Sequence, residues 1–214
     1  MFNTGDPMRR NWLTPALVLG LAALAGAWLT TQLTDGPEHG GAGELSADAL
    51  PRAVEPFELT FANGDPFTAE SLEGGWHLVF FGYTHCPDVC PTTLHTLQRT
   101  MAELEGRDAA LPTVVFVSVD PERDDRAQLG EYVGFFREDF RAATGSREAI
   151  DHLTDQFGAV YRINRDEGED YTVDHSAAIA AVGPEGRIRA LLNPPHRPAA
   201  MADRLEDLMA EEDS

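Results

Sequence analysis

Two uninterrupted apolar runs, "HLVFFGY" (His77 to Tyr83) and "TVVFVSVD" (Thr113 to Asp120), limit the fold more than anything else in the chain. A strand with one wet face alternates apolar and polar residues, whereas a run apolar throughout belongs to a strand covered on both faces. Between the two, "PTTLHTLQRTMAEL" sets Leu94, Leu97, Met101 and Leu104 at helical spacing. Strand, helix and strand in that order require a parallel pair joined by a right-handed crossover.

The flanking sequence extends this unit. "FELTFANGDPFTAE" alternates around Asn63-Gly64, a hairpin signal. Residues 125 to 139 suit a helix with Leu129, Val133 and Phe136 inward, and "SREAIDHLTDQFG" gives another, capped by Ser146 and closed by Gly158. "RDEGED" reads as an exposed acidic loop. "SAAIAAV" and "RIRALL" read as strands joined by the turn Gly183-Pro184-Glu185-Gly186, and "RPAAMADRLEDLMAEE" as a C-terminal helix. The order predicts an α/β domain over residues 53–214, a thioredoxin-like fold with an extra N-terminal β-hairpin. In such sheets function gathers at the carboxyl ends of the strands, which is where Cys86 and Cys90 fall.

Ahead of the domain, Arg9-Arg10 precede an uncharged apolar stretch from Trp12 to Leu33. A bilayer needs about 20 such residues at about 1.5 Å each. Residues 1–11 are thus expected on the cytoplasmic side, 12–33 as a single transmembrane helix, and 34–52 as a flexible Gly-, Ala- and Pro-rich tether. The domain would then lie on the periplasmic or extracytoplasmic side of the cytoplasmic membrane. Cleavage near Ala25-Gly26-Ala27, as in a signal peptide, is the alternative, and Arg9-Arg10 loosely resembles a twin-arginine signal. The net charge is -20, and all 16 cationic residues are arginine. No basic face is visible for phosphate, which disfavours nucleic acid as a partner.

Cys86 and Cys90 are the chain's two cysteines, each followed by proline, and three readings are open: a structural staple, a redox couple, or part of a metal site. The staple is the weakest, because so short a loop restricts the unfolded chain least. Pro91 suits the start of a helix and disfavours helical geometry at Cys90, so Cys90 is expected near the N-cap and Cys86 in the approach loop. Both sulfurs would then feel the positive end of the helix dipole, which favours thiolate. Three residues separate the cysteines, a spacing that permits a disulfide and also lets two sulfurs grip one soft ion, copper(I) among the candidates.

Two sulfurs leave such an ion short of a ligand, and seven histidines are available. His39 lies in the tether. His85 is expected to point away from Cys86, His95 lies one turn along the helix, and His77, His152 and His196 are expected at the surface. His175, in "DYTVDHSAAIAAV", enters a strand that should neighbour the cysteine-bearing one. From position alone it is either a third ligand or a solvated loop residue beside Asp174.

"FFGYTHCPDVCPTTL", "VSVDPERDD", "EYVGFF", "ATGSREAID", "FGAVYRI", "EDYTVDHSA" and "VGPEGRI", in this order over residues 54 to 212, resemble the Sco/SenC family, copper-binding thioredoxin-fold proteins of cytochrome c oxidase assembly. The resemblance implies a site for Cu(I) and Cu(II) formed by Cys86, Cys90 and His175, and a Cys86–Cys90 disulfide in the oxidised form. It also implies that Asp120 supports the site without ligating, and that Tyr83 and Pro87 shape the loop. The implied function is that of a copper metallochaperone assisting assembly of the binuclear copper centre of oxidase subunit II. A thiol–disulfide oxidoreductase, using the same cysteines to keep the acceptor's cysteines reduced, is the alternative. The implied partners are the copper-centre domain of subunit II and an upstream copper donor or thiol reductant. The absence of lysine and the tail after Leu192 depart from the family pattern.

Overall fold

The computed structural model describes residues 50–165 and 171–212. The anchor expected over 12–33, most of the tether and most of the acidic loop lie outside these residues. Among the described residues no helix is long and apolar enough to cross a membrane.

The elements run β1 (Arg52–Ala53), β2 (Glu58–Phe61), β3 (Pro66–Thr68), β4 (His77–Gly82), α1 (Val89–Glu105), β5 (Thr113–Ser118), α2 (Arg126–Phe136) and β6 (Arg141–Thr144). They continue with α3 (Arg147–Phe157), β7 (Tyr161–Asn164), β8 (Thr172–His175), β9 (Ile179–Val182), β10 (Arg187–Leu192) and α4 (Pro198–Glu212). Eight strands form one mixed sheet in the order β1-β10-β9-β4-β5-β6-β2-β3, and β7 with β8 makes a separate ribbon.

β4 lies near the middle, and all six of its residues are buried. It pairs in parallel with β5, Phe80 beside Phe116, and antiparallel with β9, Val79 beside Ala180. The Phe80 and Phe116 rings sit 5.9 Å apart. Coverage on both faces explains the absence of alternation in "HLVFFG". α1 supplies part of that cover with Leu94, Leu97, Met101 and Leu104, all buried. Against it packs α4, where Thr100 Oγ1 meets Met201 Sδ at 3.9 Å and Arg107 bridges Asp203 and Glu206 at 2.6 Å each.

The expected hairpin forms, Leu59 opposite Phe67, with Gly64 at φ 96°, a conformation glycine adopts without strain. It joins the sheet beside β6, with Phe61 paired to Ala143. The Ser146 side chain accepts from the Ala149 N–H at 3.2 Å, and Gly158 ends α3 in the left-handed region.

Four sequence expectations need correction. α1 starts at Val89 with Asp88 as its cap, so Cys90 is helical and Pro91 is its third residue. The proline forfeits no hydrogen bond there, because the first four amides of a helix have no intrahelical acceptor. The helix expected to reach 139 stops at Phe136, and "RAAT" becomes β6, parallel to β5. His175, read as a loop residue entering a strand of the main sheet, instead ends β8, which pairs with β7. His77 is only 8% exposed rather than a surface residue. Its Nδ1–H donates to the Gly75 carbonyl at 3.0 Å, and burial pushes its pKa down.

Leu97 is fully buried between α1 and the sheet. Leu97→Ala is expected to lower unfolding free energy by about 2–5 kcal/mol, measured by urea denaturation. A change within error of zero would show that α1 does not carry the core.

Candidate metal site

The carboxyl end of β4 leads through Tyr83 to Asp88 into α1, so Cys86 arrives on the loop and Cys90 in the first helical turn. The loop is folded back on itself, as the Cys86 N–H donates to the Tyr83 carbonyl at 3.3 Å. The Cys90 N–H points at Cys86 Sγ at 3.4 Å. Both cysteines are free thiols, Cys86 half-buried and Cys90 buried.

His175 comes from the end of β8. Its Nε2 lies 3.1 Å from Cys90 Sγ, and the donor atoms of Cys86, Cys90 and His175 all fall within 4.8 Å of one another. Its Nδ1 is 3.0 Å from the Ser176 carbonyl, which can only accept, so Nδ1 carries the proton. In the neutral ring that leaves the Nε2 lone pair facing the sulfurs. Tyr83 and Phe80 flank the imidazole, with ring centroids 5.9 and 6.0 Å away.

Among the described residues, no other histidine joins this cluster. His85 is exposed and sits 3.1 Å from Thr84 Oγ1 and 3.5 Å from Asp124. His95 packs edge-on against Phe136, His152 is exposed, and the half-buried His196 donates through Nε2 to the Ala177 carbonyl at 2.8 Å.

Asp120 is buried, but its carboxylate is turned to Arg123 and Tyr171 rather than to the sulfurs. It accepts from Arg123 Nε and from the Tyr171 hydroxyl, both at 2.6 Å. Asp124, which the sequence reading passed over, touches the cysteine loop itself. It accepts from the Thr84 N–H at 3.0 Å, the Thr84 hydroxyl at 2.6 Å and the Ser118 hydroxyl at 2.6 Å, tying the end of β5 to the loop. Gln128 on α2 donates to the same Thr84 hydroxyl at 2.9 Å. Pro87 is an exposed residue of the loop, and the buried Tyr83 accepts through its hydroxyl from the Val173 N–H at 3.4 Å.

Gly82 was also missed. A Cβ there would lie 2.6 Å from Cys90 Sγ and 2.7 Å from Phe116 Cε2. Only a residue without a side chain lets the buried sulfur rest on the end of β4. The available signal was a glycine closing an otherwise bulky strand.

The two thiols are unequal. The hydrogen bond with Cys90 holds the Cys86 pKa down to about 3, helped by His175 and by the N–H groups of Cys90 and Asp88, against the cost of burial. The same bond and burial push Cys90 up. One thiolate, one thiol and one imidazole lone pair make a soft three-donor set that can hold a soft ion or carry out disulfide exchange. Because its folded pKa is depressed, Cys86 ionisation contributes stability at high pH that is lost as pH falls from about 9 towards about 3. Alkylation of Cys86 by iodoacetamide, followed by mass spectrometry, is expected to stay fast at pH 5. A rate that collapses below pH 8, as for an ordinary thiol, would contradict this.

The comparisons with known proteins converge. The SCO1/SenC family model matches residues 46–210. A putative copper-binding protein of Stutzerimonas stutzeri is 37% identical over 67% of this chain and 71% of its own length. The SCO1 homolog, mitochondrial, of Homo sapiens is 38% identical over 61% of this chain, and the match spans 44% of that longer protein. Among solved structures, Arabidopsis thaliana ScoI with copper bound superposes with TM-score 0.70 at 32% identity, covering 73% of this chain and 98% of that one. With the fold, the motif order and the family model in agreement, this chain belongs to the SCO1/SenC family.

Proposed function

We propose that this protein is a membrane-anchored copper metallochaperone that binds copper through Cys86, Cys90 and His175. Its acceptor is the binuclear copper centre of cytochrome c oxidase subunit II. The observation that carries the reading is the 3.1 Å approach of His175 Nε2 to Cys90 Sγ beside Cys86. Disulfide exchange needs two sulfurs and no imidazole lone pair; a soft cation needs the third donor. Similarity to copper-bound ScoI supports the choice of ion.

Copper is the cargo in this reading. Cys86, the less buried of the two, is the sulfur an incoming acceptor cysteine reaches first, and Cys90 is held behind it. Exchange of one ligand at a time keeps the ion bound throughout. The apolar stretch Trp12–Leu33 supports attachment to the membrane, with the domain on the extracytoplasmic side.

A second reading has its own support in the ionised Cys86. As a thiolate it can attack a partner disulfide, forming a mixed disulfide and releasing one partner thiolate. Cys90 then attacks Cys86 Sγ, releasing the second partner thiolate and leaving a Cys86–Cys90 disulfide for an external thiol reductant to reopen.

His175 separates the two. In copper titrations of the full chain, His175→Ala is expected to lower affinity at least about 100-fold, since loss of a mere outer partner already costs roughly 10–100-fold. The Cys86–Cys90 couple should remain functional, still forming its disulfide and exchanging with glutathione. Unchanged copper affinity would remove His175 from the site and leave the dithiol reading alone.

A further inference from the structure

Cys86 and Cys90 follow directly from β4 of the main sheet, whereas His175 precedes β9 of that sheet by a short link. It ends a two-stranded ribbon outside that sheet. Ladder bonds within the ribbon fix Tyr161 opposite His175, yet they do not fix the ribbon relative to the cysteines.

Besides the chain's run into β9, a side-chain cluster at the turn after β5 fastens the ribbon. Arg123 donates through Nε to Asp120 at 2.6 Å and through Nη1 to the Tyr171 carbonyl at 2.8 Å. Its guanidinium lies 3.5 Å from the centre of the Tyr171 ring and 5.7 Å from that of Tyr83. The Tyr171 hydroxyl closes the triangle on Asp120 at 2.6 Å. Asp120 is fully buried, so the ion pair operates where its attraction is least screened. Tyr171 precedes β8, whose Val173 N–H meets the Tyr83 hydroxyl. One guanidinium thus touches the ribbon that delivers the imidazole and stands over the first residue of the loop that delivers the sulfurs.

We propose that Arg123, with Tyr171, is the positioning residue of the site: it holds His175 at the sulfurs by clasping the ribbon to the buried Asp120. This rests on the copper-binding reading and assigns Arg123 no direct contact with the ion. The planar fork is essential, because one group must bond a carboxylate and a carbonyl while lying flat on a ring. A lysine keeps the charge opposite Asp120 and loses the fork and the stacking. Phenylalanine at 171 keeps the ring and loses only the hydroxyl.

The test uses the full chain loaded with Cu(II), comparing wild type with Arg123→Lys, Tyr171→Phe and His175→Ala. Copper affinity in the first two variants is expected to fall about 10- to 100-fold, the range found when a partner behind a metal ligand is removed. Nitrogen hyperfine coupling in the electron paramagnetic resonance spectrum should weaken towards that of His175→Ala, while the Cys86–Cys90 pair still forms its disulfide in exchange with glutathione. Wild-type affinity and nitrogen coupling in Tyr171→Phe and Arg123→Lys, with only a lower melting temperature, would reduce the cluster to a stability role and overturn the proposal. If Arg123→Lys fails to fold, Tyr171→Phe decides. If His175→Ala itself keeps affinity and nitrogen coupling, the copper reading is what fails, and the proposal falls with it for that separate reason.

Discussion

The meeting of Cys90 Sγ and His175 Nε2, 3.1 Å apart between residues 85 positions apart in the chain, is the contact on which the rest depends. Neither local sequence nor secondary structure makes it. It requires β4 to be buried with β5 on one side and β9 on the other, so that the start of α1 and the approach to β9 open at the same end of the sheet. It also requires Gly82, because any side chain at that point would occupy the position of the Cys90 sulfur. The large apolar core therefore does more than stabilise the domain. It brings three soft donors from two distant segments to one place.

Electrostatics then sets the chemical state of those donors. A pair of neutral thiols would be a poor ligand set and a poor nucleophile. Here the hydrogen bond between the two sulfurs withholds one proton from Cys86 and retains the other on Cys90, where burial adds to the effect. At the start of α1 the Asp88 and Cys90 N–H groups are aimed at the Cys86 sulfur. Two buried carboxylates act further out, in different ways. Asp124 ties the cysteine loop to β5 through Thr84 and Ser118. Asp120 is committed to Arg123 and Tyr171, on the side from which His175 arrives.

Much of this was legible in the sequence, for identifiable reasons. The apolar runs of β4 and β5, the helical spacing of Leu94 to Leu104, the Asn63-Gly64 hairpin and the Ser146 cap each rest on a local rule, and each holds. β6 was not legible because "RAAT" has neither alternation nor a β-branched run; its pairing is supplied by neighbours far away in the chain. The same holds for β7 and β8, whose strand character comes from pairing with each other. The two cysteines announced themselves by spacing. His175 needed either a family resemblance or a fold to separate it from His85 and His95, because a contact between distant residues leaves no periodic trace. Asp124 was overlooked in favour of Asp120, since both belong to "DPERDD" and only the three-dimensional turn assigns one to the loop and the other to the ribbon.

X-ray absorption at the copper edge of the copper(I)-loaded full chain examines the coordination directly. The expected spectrum shows nearest-neighbour scattering from two sulfurs and one nitrogen, with the outer pattern of a single imidazole ring. A shell of sulfur alone, or one with nitrogens from several imidazoles, would contradict it.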